Sequence, residues 1–161
     1  MTLLFLDVDG PLIPFKARPT VASRRPPDEV GNPLLDRLDP ADGRRLLALG
    51  CDLVWATTWL ADANEVVAPR LGLPKLPVVE WPDDDEEPEP GVHWKTAQLV
   101  RWSDGRPFAW LDDEITDTDR RWVATHHPAP ALLRRVDPFI GLSASDYVAV
   151  RTWLGELTAA V

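Results

Sequence analysis

At 161 residues the chain is long enough to bury a sizeable core, and its 45% apolar and 27% charged shares exclude a disordered or fibrous class. Most of the formal net charge of −9 sits in one stretch: Glu80 to Gly91 holds seven acids and no base, leaving 17 basic against 19 acidic residues elsewhere, so overall acidity does not exclude a polyanionic substrate. A single cysteine, Cys51, excludes an intramolecular disulfide and makes a reducing cytoplasm the expected location, while no apolar run reaches the length of a membrane span.

Leu3 to Leu6 reads as a fully buried strand, ending in Asp7-Val8-Asp9-Gly10. The run is too short, and lacks the preceding basic residues, for a signal peptide. On a continuing strand Asp7 and Asp9 would share one face, and two acids that close call for a cation or a proton. Pro11 to Pro33 carries six prolines with Lys16, Arg18, Arg24 and Arg25, which predicts an irregular flap near the end of the first strand and a basic lip for a phosphate group. Asp39-Pro40 opens a helix that stops at Gly50. Asp52 to Thr58 is a second buried strand ending in two hydroxyls, Thr57 and Thr58. Ala61 to Leu71 reads as a helix closed by Gly72 and Pro74, and Leu76 to Glu80 is a candidate short strand.

Residues 80–91 are expected to form an exposed acidic loop, because seven like charges repel. His93 to Trp102 reads as a helix with Lys95 at or near its start. Pro107 to Leu111 is a short strand running into Asp112-Asp113-Glu114, Thr118 to Thr125 a helix, and Ala131 to Val136 a strand. The last helix begins at Ser143, with Asp146 in its first turn and Val148, Trp153, Leu154 and Leu157 on its apolar positions. Alternating strands and helices predict a single α/β domain over residues 1–161, with a mainly parallel sheet. In such sheets, sites form beyond the carboxyl ends of the strands. Asp7, Asp9, Thr57, Thr58, Asp112 and Asp113 all fall there, and Lys95 joins them from a helix start.

This set is coherent for phosphoryl transfer. Asp7 would attack phosphorus and form an aspartyl-phosphate, and Asp9 would protonate the leaving oxygen and then activate water. Mg²⁺ held by Asp7 and an acid of the 112–113 pair would neutralise the attacking carboxylate and the phosphate oxygens. Thr57, or Thr58 beside it, would donate to a phosphate oxygen, and Lys95 would balance charge on the transferring group.

Phe5-Leu-Asp7-Val-Asp9-Gly10, Leu53-Val-Trp-Ala-Thr57, Lys95 and Trp110-Leu-Asp112-Asp113 resemble, in order, the four motifs of the haloacid dehalogenase (HAD) superfamily of aspartate-nucleophile phosphohydrolases. Leu53 to Asn64, with Trp110 to Glu114 and Gly141-Leu142, also resembles the HAD-like domain of Swiss Army Knife RNA-repair proteins. The resemblance implies a Rossmann-like three-layer α/β/α fold, Mg²⁺ dependence, and the backbone carbonyl of Asp9 as a further metal contact. It also implies phosphate rather than halide chemistry, because dehalogenase members lack the second acid. Pro11 departs from the Thr or Val usual after the glycine, and Asp117 is an alternative to Asp113 as outer metal ligand.

About fifty residues separate Asp7 from Thr57 and fewer than forty separate Thr57 from Lys95, too few for a sizeable cap domain. An open site is expected, which the resemblance links to bulky substrates such as RNA or DNA ends. His93, His126 and His127 read as surface or helix-end histidines, and most of the eight tryptophans as core; Trp59 and Trp94 stand out beside proposed site residues. Two other functions fit part of the pattern: a two-metal nuclease built on the four aspartates, and a catalytically idle scaffold that binds a partner through the basic flap.

Overall fold

Both faces of Leu3–Leu6 (β1) are covered, which is why all four of its residues are buried. The computed structural model describes residues 2–15, 33–82 and 90–159. Within them β1 lies between Asp52–Trp55 (β2) and Phe108–Asp112 (β3), and β3 pairs on its far side with Ala131–Arg135 (β4). All pairings are parallel, and the strand order is β2-β1-β3-β4. Leu4, Leu6, Leu53, Trp55, Ala109 and Leu111 face one core, with Leu46, Leu71 and Val150 from the helices over it. Leu3, Phe5, Val54, Phe108 and Trp110 face the other, against Leu99 and Val123. The period-two alternation of β1 thus separates two apolar layers, giving the Rossmann-like three-layer α/β/α arrangement. No sizeable cap domain is present among the described residues.

Among the described residues five α-helices surround the sheet: Pro40–Ala48 (α1), Ala68–Leu71 (α2), Thr96–Ser103 (α3), Asp117–His126 (α4) and Ala144–Ala159 (α5). Asp39 caps α1 through the Ala41 N–H at 3.0 Å, with Pro40 in its first turn. Gly43 lets α1 lie against α2, since a Cβ there would come 1.8 Å from the Leu71 carbonyl oxygen. The Tyr147 hydroxyl donates to the buried Asp42 carboxylate at 2.7 Å and ties α5 to α1.

The expected helix over 61–71 divides into a wide turn at Ala63–Val67 and the short α2. The Ala68 N–H reaches back five residues to the Ala63 carbonyl, and Pro69 next has no N–H to restore regular spacing. The candidate strand 76–80 is reduced to one bridge, Trp55 opposite Val78; Pro77 has no N–H and confines this segment to the sheet edge. On α5, Tyr147, Val150, Trp153 and Leu154 pack inward, whereas Val148 is exposed, a correction to the expected apolar positions. Lys16, Arg18, Arg24 and Arg25 of the flap, and residues 83–89 of the acidic loop, lie outside the described residues.

Candidate active site

The strand register brings the acids together. Leu6 is level with both Trp55 and Leu111, so Asp7, Ala56 and Asp112 emerge side by side one residue further on. Beyond Asp7 the chain leaves the sheet: the N–H groups of Leu12 and Ile13 return to the Val8 carbonyl at 3.1 and 2.9 Å. Gly10 sits at φ +98° inside this loop, and a Cβ there would lie 2.8 Å from the Asp113 carboxyl carbon. The glycine therefore supplies both the left-handed turn and the close approach of two acidic segments. Pro11 is buried in the turn and its carbonyl accepts the Leu142 N–H at 2.8 Å, while Phe15 N–H donates to Pro138 at 2.8 Å. These bonds fix the described start of the flap to the loop ahead of α5.

Lys95 reaches the acids from the residue before α3. Its Nζ donates to Asp112 Oδ2 at 2.9 Å and to the Ala56 carbonyl at 3.0 Å, and lies 3.3 Å from Asp7 Oδ1. Asp7 Oδ1 also accepts the Val8 N–H at 2.8 Å. All three charged groups are buried. Two carboxylates and one ammonium leave the triad one positive charge short, and burial magnifies the deficit. Burial pushes Asp7 up to about 8; Lys95 pulls it down and Asp112 pushes it further up. Burial alone would lower Lys95, but Asp7 and Asp112 outweigh it and the net shift is upward. Asp7 raises Lys95 only while it is itself ionised, so the three groups titrate as one unit: Lys95 keeps its charge beside Asp112, and below about 8 a proton on Asp7 offsets the excess negative charge. Asp113 is likewise raised to about 6, by burial and then by Asp112.

Carboxylate oxygens of Asp7, Asp112 and Asp113 all lie within 4.8 Å of one another. An all-oxygen set short of positive charge fits a hard divalent cation. Asp117 instead pairs with Arg120 at 2.6 Å in the first turn of α4.

Asp7, Asp9, Lys95 and Asp113 line a cavity of about 230 Å³ together with Phe15, Thr58, His93, Trp94 and Glu114. Asp9 is exposed, and its Oδ2 accepts the Trp59 indole N–H at 3.1 Å. Thr58 is an exposed part of the wall. Thr57 is fully buried behind it, its Oγ accepting the Trp59 N–H at 3.2 Å.

His93 and Glu114 are cavity residues that the sequence reading had not singled out for the site. His93 Nε2 meets Glu114 Oε2 at 2.7 Å, and Nδ1 takes the Lys95 N–H at 3.1 Å, which assigns the ring proton to Nε2. His126 bonds the Trp122 carbonyl and His127 the Arg106 carbonyl, the helix-end roles expected of them. Behind His93, the fully buried Asp119 is also new. Oδ1 accepts from His93 N–H at 2.7 Å and from the Thr96 hydroxyl at 2.9 Å; Oδ2 accepts from the Thr116 N–H and hydroxyl, both at 2.9 Å. It thereby closes the capping box of α4 and holds the segment that carries Lys95. The only local sign of Asp119 was Thr116 three residues before it, since its other partners are remote in the chain.

The sequence profile of a family described as HAD domain in Swiss Army Knife RNA repair proteins matches residues 3–147. No curated protein and no solved structure matches the chain.

Proposed function

The chain belongs to that family of HAD domains, and from this premise we propose that it is a Mg²⁺-dependent phosphomonoester hydrolase that works through an aspartyl-phosphate on Asp7 and acts on phosphorylated RNA or DNA ends. The observation that carries the reading is the Asp7–Lys95–Asp112 triad, with Asp113 in ligand range of both acids. Asp7, Asp112 and Asp113, with the Asp9 carbonyl, would hold the cation, which supplies positive charge to the carboxylates and to the phosphate.

Asp7 would attack phosphorus as the bond to the leaving oxygen breaks, while Asp9 gives that oxygen a proton. Water then attacks the same phosphorus, Asp9 takes its proton, and the bond to Asp7 breaks to release inorganic phosphate. Such acid–base help is typically worth about 10²–10⁴ in rate. Lys95 fixes Asp7 and Asp112 and offsets the charge gathered at the transferring group, and Thr58 or Thr57 orients a phosphate oxygen.

The test is a phosphatase screen, with and without Mg²⁺, of wild type and Asp9→Asn. The panel holds 3′- and 5′-phosphorylated oligonucleotides, mononucleotides, sugar phosphates and phosphopeptides. Mg²⁺-dependent release that is fastest from oligonucleotide ends and falls at least about a hundredfold in Asp9→Asn is expected. Cleavage of internal phosphodiesters, with no beryllium fluoride adduct on Asp7, would favour a two-metal nuclease instead.

A further inference from the structure

Seven of the eight tryptophans are buried or half-buried, and Trp94 alone is exposed, at 44%. Core packing therefore does not account for it. Its ring lines the same cavity as Asp7 and Lys95, and Phe15, 60% exposed, lines that cavity too. Two large aromatic rings exposed at one polar cavity make a surface of the kind that ligand sites use.

Trp94 is also held in place. Trp81 meets it edge-on, with centroids 4.9 Å apart and planes at 77°, and the Trp81 indole N–H is anchored on the Thr57 carbonyl at 3.0 Å. His93 lies against it at 5.4 Å. The ring is thus fixed before any ligand arrives, and stacking on it costs little further ordering. Lys95 Nζ lies 5.5 Å from the Trp94 ring centre and 3.3 Å from Asp7 Oδ1. Trp94 and Asp7 are thus both neighbours of Lys95 on the lining of one cavity.

We propose that Trp94, with Phe15 of the same cavity, is a stacking subsite for the nucleobase next to the phosphate that Asp7 attacks. The inference rests on the hydrolase reading for the position of the phosphate, and it makes the base itself, rather than only the chain, a determinant of binding. Stacking on exposed aromatic surface reads no donor and acceptor pattern, so the subsite favours bases as a class over any one base.

Steady-state kinetics with four substrates test it: dinucleotides phosphorylated at the 5′ or 3′ end, and the same compounds with an abasic residue at the phosphorylated end. For whichever end is hydrolysed, Trp94→Ala raises KM about tenfold more for the base-bearing substrate than for the abasic one, and Trp94→Phe largely removes that difference. An equal loss on both substrates would make Trp94 merely structural and overturn the inference. So would a phosphotyrosine peptide with the same Trp94 dependence. If no phosphate is released from any substrate, the hydrolase reading falls by itself. Calorimetric binding of the same four compounds then decides the subsite: tighter binding of the base-bearing pair supports it, and equal or absent binding overturns it.

Discussion

Asp7 and Asp119 are both buried carboxylates within reach of the same turn before α3, yet their surroundings are opposite. Asp119 accepts four hydrogen bonds, two on each oxygen, from groups with no competing partner in that contact. Asp7 has one backbone N–H and a share in Lys95, which lies closer to Asp112. A carboxylate whose lone pairs are filled by fixed donors has been built to hold structure. One left short of positive charge has been built to receive something, whether a proton, a cation or a phosphorus atom.

The largest expected effect separates the two acids by substitution. Asp7→Asn should lower phosphate release by at least about a thousandfold while leaving the urea midpoint unchanged or raised, because Asn keeps the uncharged form that burial favours at Asp7 and cannot ionise as pH rises. Asp119→Ala should do the reverse in stability, lowering it by about 2–4 kcal/mol in urea titrations as four donors lose their acceptor. Loss of activity in Asp119→Ala should follow, through Lys95, only as far as the α3 start loosens. Comparable destabilisation in both variants would erase the distinction.

The contrast also explains which parts of the site were readable from sequence. Asp7 and Asp112 end apolar runs that pair in register, and one alternation rule puts both at the sheet's carboxyl edge. Lys95 stood at or near the start of the helix read over His93 to Trp102; the helix itself begins one residue after it, at Thr96. His93, Glu114 and Asp119 were not legible as site or support residues, since the bonds that join them to one another link segments more than twenty positions apart, and the local Thr116 pair marks Asp119 only as a helix cap. The division of Ala61–Leu71 was hidden for a different reason. Its apolar spacing is helical, and only the Ala68 bond back to Ala63, just ahead of Pro69, reveals the wide turn.

A smaller effect should appear with pH in the metal-free protein. The Asp7 carboxyl is raised from 3.8 to about 8 on folding, so between those values the folded chain holds a proton that the unfolded chain has released. Stability from this group is complete below about 3.8 and is lost as pH rises through about 8. Thermal midpoints without metal should therefore fall between pH 5 and pH 8 more steeply in wild type than in Asp7→Asn. Added Mg²⁺ should raise the midpoint more at pH 8 than at pH 5, since the cation takes the place of the proton. Equal Mg²⁺ shifts at both pH values would detach metal binding from Asp7.

The smallest expected effect concerns the acid that is not buried. Among the described residues no cation pairs with Asp9, and its side-chain partner there is the Trp59 indole N–H on Oδ2 at 3.1 Å. That bond aims the carboxyl without neutralising it, so Trp59 acts as a positioning residue for proton transfer. Trp59→Phe keeps an aromatic ring at the site and deletes the N–H. It should lower kcat by roughly three- to tenfold on alkyl phosphates, whose leaving oxygen needs the proton, a small part of the roughly 10²–10⁴ that acid–base help supplies. On p-nitrophenyl phosphate, whose leaving group departs without that help, kcat should change little. A uniform loss across both substrates would mean that Trp59 only packs, and the difference between the two leaving groups is what identifies Asp9 as the moving acid beside a fixed nucleophile.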